Sequence, residues 1–436
     1  MRSTRSSLSL PVSSQHRAVR PGRPAVPQTG GVPSALPDGE PVPDSGVLPG
    51  SATAGLGDRP FGLYLHVPFC ASRCGYCDFN TYVGSELGGA GLGSGGLQAS
   101  YADTATAELR LARTVLGAAA PPVDTVFVGG GTPTLLPADD LVRLLAVVRD
   151  QWGLAAGAEV TTEANPDSVD ERYLATLRGG GFTRVSFGMQ SAVSSVLRVL
   201  DRTHTAGRPQ QAVREAYAAG FEQVSLDLIY GTPGESDDDW RRSLDTALEA
   251  GPTHVSAYAL IVEPGTRLGA QVARGVLPAP DDDVLADRYL LAQAALKGLG
   301  WYEVSNWGEP CRHNLGYWRG GDWWGIGPGA HSHVGGVRWW NVKHPAAYAE
   351  RLGAGRSPGA GREVLTDEDR RVERVLLEVR LRDGLPLSVL HPDGLAASHR
   401  HVEDGLLEVG PHREGRAVLT LRGRLLADAV VRELVD

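Results

Sequence analysis

Cys70, Cys74 and Cys77 stand in a CxxxCxxC spacing inside the stretch Leu63 to Asn80, LYLHVPFCASRCGYCDFN. Thiolates this close on one loop can converge on a single metal centre. A cubane iron–sulfur cluster ordinarily takes four protein thiolates, so three leave one iron open to another ligand. A structural zinc site with His66 as fourth donor is the alternative. Zinc modules usually staple small domains, whereas this loop opens a long α/β repeat. Downstream, Gly129-Gly130-Gly131-Thr132-Pro133 lets bare backbone approach a ligand. A second cluster of chemistry-bearing residues is aromatic: His313-Asn314-Leu315-Gly316-Tyr317-Trp318, preceded by Cys311 and followed by Trp323-Trp324 and Trp339-Trp340. Taken alone, a histidine in such a segment reads as a packed, hydrogen-bonded structural residue, and the tryptophan pairs read as core or hairpin packing.

These residues need elements to position them. From Phe61, Leu63, Leu65 and Val67 alternate with Tyr64 and His66, as a strand requires. Further β-branched runs fall at 123–128, 159–162, 184–187, 223–229 and 254–259, separated by helical periodicity at 101–116, 139–150, 169–178, 207–219 and 237–249. Six strand–helix units predict a parallel sheet curled into a partial (β/α)6 barrel of the TIM type. The glycine turn follows the second strand, Glu163 closes the third, Gln190 follows the fourth and Asp227 lies within the fifth. In a parallel barrel the carboxyl ends share one rim, so these groups should face one cavity.

The chain divides on this reading into four parts. Residues 1–58, rich in Pro, Gly and Ser, are a disordered extension. Residues 59–280 are the barrel, with a glycine-rich insertion at 83–96. Residues 281–360 extend it and carry the aromatic segment, and 361–436 form a small, mostly helical, winged-helix-like module. A net charge of −9 argues against a nucleic-acid partner. No apolar run is long enough to span a bilayer. Four cysteines, three of them in one cluster, are no disulfide framework and fit a reducing cytoplasm. The Arg- and Ser-rich, acid-poor start raises an organellar transit peptide. With Lys297 and Lys343 the only lysines, the composition carries the bias of a GC-rich genome, which favours a bacterial extension.

The cysteine motif resembles the signature of radical S-adenosylmethionine enzymes, and the likeness runs over residues 60 to 430. It implies a [4Fe–4S] cluster on the three thiolates, with the methionine moiety of S-adenosylmethionine chelating the unique iron. Carried over by resemblance, Tyr64 and Tyr76 flank the cluster, while Gly130, Gly131 and Thr132 line the methionine end. Glu163, Gln190, Arg202, Asp227 and Ala259 match positions that contact the cofactor. For Gln190 and Asp227, a bracing network at the rim is nearly as good a reading. No residue is assigned a catalytic role.

The segments YLHVPFC, GGGTPT, VSFGMQS, LDRTHT, DLIYGTPGE and LTLRGRLLADAVV together resemble the oxygen-independent coproporphyrinogen III oxidase-like family. That family has two branches. The oxidases (HemN type) decarboxylate two propionates to give protoporphyrinogen IX; the HemW type are haem chaperones that hand haem to respiratory proteins. Phe79 stands where the oxidases have a further cysteine, and HNxxYW is characteristic of the chaperones. The resemblance thus implies His313 as haem ligand, Asn314 fixing its loop, and Tyr317 and Trp318 packing on the macrocycle, with Cys311 a competing soft ligand. It also implies haem or porphyrin, recipient respiratory haem proteins and an electron donor as partners, with membranes met only through recipients. Oxidase chemistry remains the alternative, so whether the chain is an enzyme stays open.

Overall fold

The computed structural model describes residues 39–87, 96–202 and 204–436. Its spine is six parallel strands: β1 (Phe61–Val67), β2 (Val123–Gly130), β3 (Leu154–Ala164), β4 (Arg184–Gln190), β5 (Gln223–Tyr230) and β6 (His254–Ala259). Helices Tyr101–Leu116, Ala138–Gln151, Glu171–Gly180, Arg208–Ala218 and Asp237–Glu249 alternate with them, as the periodicity predicts. Local signals start several of these helices. Asp170 accepts from Tyr173 N, and Ser236 forms a capping box with Asp239.

The sheet does not stop at six strands. β7 (Trp301–Glu303) and β8 (Asn306–Gly308) continue it antiparallel beyond β6. On the other side β9 (Asp322–Ile326) lies parallel to β1, followed by antiparallel β10 (His331–Val334), β11 (Val337–Asn341) and β12 (Gly359–Val364). The segment that reads as an extension after the barrel therefore enlarges the barrel sheet at both edges.

Each parallel strand is buried on both faces, yet the faces differ. Leu63, Leu65, Val126, Val128, Val160, Val185, Phe187, Leu226 and Val255 pack into the main core under the helices. The alternate residues, which share the lumen, are polar: Thr125, Glu159, Thr161, Arg184, Ser186, Ser225, His254 and Ser256 are all buried. Parallel strands buried on both faces normally read as continuous apolar runs. Polar groups kept in such a lumen need partners or a ligand.

Two boundaries move. Residues 39–58, within the stretch read as disordered, form an ordered strap. Glu40 and Arg362 pair backbone to backbone, Asp44 O accepts from Ser357 N, and Ala52 is fully buried. The strap is held by partners some three hundred residues away in sequence, which local periodicity cannot show. The first 38 residues, and 88–95 of the glycine-rich insertion, lie outside the described residues. At the other end β12 spans the 360/361 division and belongs to the main sheet. A second core begins after it, from Val375 and Val379 to Val430 and Leu434. It is mostly helical, with a two-residue ladder between Leu385–Pro386 and Arg416–Ala417. The helix read at 421–434 is two, Leu421–Leu425 and Ala427–Val435. Among the described residues, no helix is long and apolar enough to cross a membrane.

Candidate metal and cofactor site

The cysteine loop leaves the carboxyl end of β1 and is pinned from three sides. The glycine turn after β2 reaches under it: Gly131 N donates to Val67 O and Thr132 N to Phe69 O, each at 2.8 Å. A Cβ on Gly131 would lie 2.5 Å from Phe69 O and 3.0 Å from Cys70 Sγ, so only glycine allows this approach. At the loop centre Gly75 N donates to Leu200 O and Gly75 O accepts from Leu268 N. At its far end the Asn80 amide donates to Pro328 O and Lys343 O, both at 2.9 Å. Asn80 O also meets His66 Nε2 at 2.9 Å, which ties the loop back to β1.

The three thiols occupy one neighbourhood and act on one another. Burial pushes Cys70 up, with Cys74 adding to the effect and the hydroxyls of Thr81 and Thr132 opposing it. Burial likewise pushes Cys77 up to about 12, with Cys74 and Cys70 contributing. Against this stands one cation: Arg202 Nη1 donates to Cys74 Sγ at 3.4 Å. One buried and two half-buried thiols that repel each other as thiolates would be answered by a polynuclear cation, whose charge reverses that balance. The three-thiol donor set and the bare Gly131 backbone beside Cys70 suit a three-thiolate cluster in chemistry, although among the described residues the side chains are not drawn together into a metal-holding group. Tyr76, half-buried, lies beside Cys74 and Cys77.

Around the thiols the rim residues assemble as the strand ends dictate. Glu163 Oε2 accepts from Gly130 N at 3.1 Å and has no other donor among the described residues. Burial and the nearby Asp227 push Glu163 up to about 7. Asp227 is bound by Ser186 Oγ at 2.9 Å and Ser256 Oγ at 2.7 Å, the bracing arrangement. Gln190 ends β4 in the left-handed region, φ 62°, where the ladder to β5 shifts register. Such strain at a strand end is characteristic of binding sites. Arg202 lies across bare Gly188, donating from Nη2 to its carbonyl at 3.0 Å. Ala259 closes β6 opposite Tyr230. Tyr64 stands deeper, its hydroxyl 2.9 Å from His66 Nδ1.

His66, Asn80, Ser186 and Ser256 were not singled out for these roles. Alternation along β1 places His66 in the lumen, but nothing local tells Asn80 from any loop asparagine.

The aromatic motif lies at the opposite end. Helix Arg312–Trp318 closes the amino ends of the strands, and His313 is buried there. Its Nδ1 meets Thr125 Oγ1 at 2.8 Å and its Nε2 meets Tyr317 OH at 2.8 Å. Its ring stacks on Phe127, centroids 5.3 Å apart. Burial depresses its pKa to about 3, so the imidazole is neutral. Glu159 accepts from Cys311 Sγ, Arg312 N and His313 N, with Arg184 at 3.9 Å. Burial and Glu159 push the Cys311 thiol up to about 12, so it is a protonated donor here. Asn314 Nδ2 reaches Tyr302 OH at 3.3 Å. Tyr317 packs edge-on against Trp323, and Trp324 against Trp339, both pairs with centroids 4.6 Å apart. The tryptophans thus line the β9–β11 hairpin region.

Comparison with known proteins places this arrangement. The model of the radical SAM superfamily matches residues 64–247. A protein named Heme chaperone HemW from Mycobacterium tuberculosis is 56% identical over 393 residues, covering 89% of this chain and 97% of its own. The Heme chaperone HemW of Escherichia coli is 38% identical, covering 63% of this chain and 70% of its own. Among solved structures, the coproporphyrinogen III oxidase HemN of Escherichia coli superimposes with a TM-score of 0.73. That match covers 88% of this chain and 92% of HemN, and at 23% identity it is a likeness of fold. With three thiols over a polar barrel rim and a 56% identical relative matched along 97% of its length, this chain belongs to the HemW haem-chaperone family of the radical SAM superfamily.

Proposed function

We propose that the protein is a haem chaperone that holds a [4Fe–4S] cluster on Cys70, Cys74 and Cys77, binds S-adenosylmethionine beside it, and delivers haem to respiratory haem proteins. The observation that carries this reading is the 56% identity to a haem chaperone along nearly that protein's entire length. Phe79 supports it. The side chain at the position of the oxidases' additional cysteine is an aromatic ring, 44% exposed, with no metal-ligating atom.

When bound, the cluster supplies a one-electron donor next to the cofactor's sulfonium. The chain's own groups do the positioning. Gly130 and Gly131 let backbone approach the methionine end, Thr132 backs Cys70, and Arg202 answers the carboxylate while holding Cys74. Glu163 receives an ammonium or hydroxyl donor, and Gln190 and Ala259 border the cofactor.

For haem, His313 is the proposed ligand, and Nε2 is the nitrogen to offer. Thr125 Oγ1 holds Nδ1 and orients the ring; for Nε2 to ligate, Nδ1 must carry the proton and the threonine hydroxyl accept it. Tyr317 OH occupies Nε2 and must yield it, so binding includes a local opening of the helix Arg312–Trp318. Haem titration followed by absorbance tests this. His313→Ala should abolish the ligand-dependent spectrum, and Tyr317→Phe should tighten binding; an unchanged spectrum in His313→Ala removes His313 as ligand. Turnover of coproporphyrinogen III by reconstituted protein would overturn the chaperone reading as a whole.

A further inference from the structure

Behind the cysteine loop, outside the carboxyl end of β4, lies a cavity of about 340 Å³ walled by helices Ser194–Val199, Arg208–Ala218 and Asp237–Glu249. Arg198, Arg202, Arg242 and His204 line it, and no carboxylate does. In a chain of net charge −9 the three guanidinium groups are a local concentration of positive charge, while burial and Arg202 push His204 down to about 4 and leave it neutral. Arg198 and Arg242 are exposed. Among the described residues neither side chain donates a hydrogen bond or joins an ion pair, although most arginines of this protein do.

Further in, three buried polar atoms have no partner: Arg202 Nε, His204 Nδ1 and the Gln210 side-chain oxygen. Buried polar groups are ordinarily satisfied, and three orphans in one wall mark a place where a ligand supplies the missing bonds. The Gln210 amide can present either its oxygen or its NH2. Met189 and Leu197 add apolar surface.

Arg202 joins this cavity to the thiols. Its two terminal nitrogens are committed to Cys74 Sγ and Gly188 O, while Nε stays free. The guanidinium is planar and rigid, so an acceptor on the Nε edge fixes the orientation of the whole group and offsets its charge.

We propose that this cavity binds a small organic anion, a carboxylate or phosphate ester with an apolar part, and that its occupancy is transmitted through Arg202 to the cluster. The binding half stands on the cavity alone; the transmission half rests on the cluster assignment above.

The test uses the full-length, anaerobically reconstituted protein, calorimetry with phenyl phosphate, benzoate and inorganic phosphate, and the double variant R198Q/R242Q. Wild type should bind phenyl phosphate or benzoate saturably, and the double variant about tenfold or more weakly. The stronger of the two organic probes identifies the head group. Inorganic phosphate should bind more weakly than phenyl phosphate. Affinity for S-adenosylmethionine should be equal in both proteins. Absence of saturable binding, or equal binding in the double variant, overturns the site; displacement of the probe by S-adenosylmethionine makes the cavity part of the cofactor site and overturns it as a separate one. The electron paramagnetic resonance spectrum of the reduced cluster should shift on adding probe to wild type and not to the double variant. Binding without that shift refutes transmission. If no cluster forms, the cluster assignment fails, while calorimetry still decides the binding half.

Discussion

Glu159 and Glu163 stand four residues apart on β3 and point into the same lumen, yet they live under opposite conditions. Glu159, at the floor, receives the Cys311 thiol and the backbone N–H groups of Arg312 and His313, with Arg184 beside it. Glu163, at the rim, has one N–H, from Gly130, and an acidic neighbour in Asp227 that helps burial push it up to about 7. The floor is a closed network in which the protein answers its own polar groups. The rim is left short of donors and cations, and the thiols there repel one another. A buried polar site that lacks partners in the protein is built for something the protein binds.

The contrast can be broken most severely at the rim. Cys74→Ala should reduce iron and sulfide content after anaerobic reconstitution to background while leaving the circular dichroism spectrum intact; full iron occupancy would remove Cys74 from the ligand set. At the floor the expected loss is stability. Glu159→Ala strips a buried, multiply bonded charge from Arg184 and three donors, and should cost about 3–5 kcal/mol in denaturant unfolding. Glu163→Gln should not destabilise the protein at neutral pH and should leave it as stable or more stable, because it removes a carboxyl whose ionisation the folded rim opposes. Equal losses at the two positions would erase the distinction between floor and rim.

The pH dependence sharpens it further. Glu163 has a folded pKa of about 7, above the value of about 4.3 for an unfolded chain. Between those values the folded protein keeps a proton that the unfolded chain releases. The stabilising contribution is fully present below about pH 4 and is lost as pH rises through about 7. Glu163→Gln should therefore flatten the fall in unfolding midpoint between about pH 4 and 7, and an unaltered slope would show that Glu163 does not titrate there. The smallest effect is expected at Phe79. Its ring is exposed, so Phe79→Cys should shift stability by only about 0.5 kcal/mol. Iron per chain should stay at the wild-type value; a gain would show that this position can still take part in ligation.

Much of the fold was legible because its signals are local. The six strand periods and the helices between them lie within short windows, and the parallel rim follows from their alternation. The strap at 39–58 was not legible, since Glu40 finds its partner at Arg362. Nor was the placement of β9 against β1, a pairing across more than 250 residues that no hydrophobic period encodes. At the site, the cysteine spacing spoke for itself, and Glu163 and Arg202 could be picked out only through family resemblance. Asn80 and the serines holding Asp227 are ordinary residues made important by what surrounds them.

The sequence by itself determined the metal loop, the order of strand–helix units and, through Phe79 and HNxxYW, the branch of the family. Tertiary structure alone decided where the two motifs stand. It puts His313 under the barrel, between Thr125 and its own helix-mate Tyr317, on the far side of the lumen from the thiols. Thr125 and His313 are 188 residues apart in the chain, and only closure of the sheet brings them within a hydrogen bond. The physical reason is general: spacing within a loop or helix fixes which groups share a face, but burial and the last hydrogen-bond partner are set by elements that arrive from elsewhere.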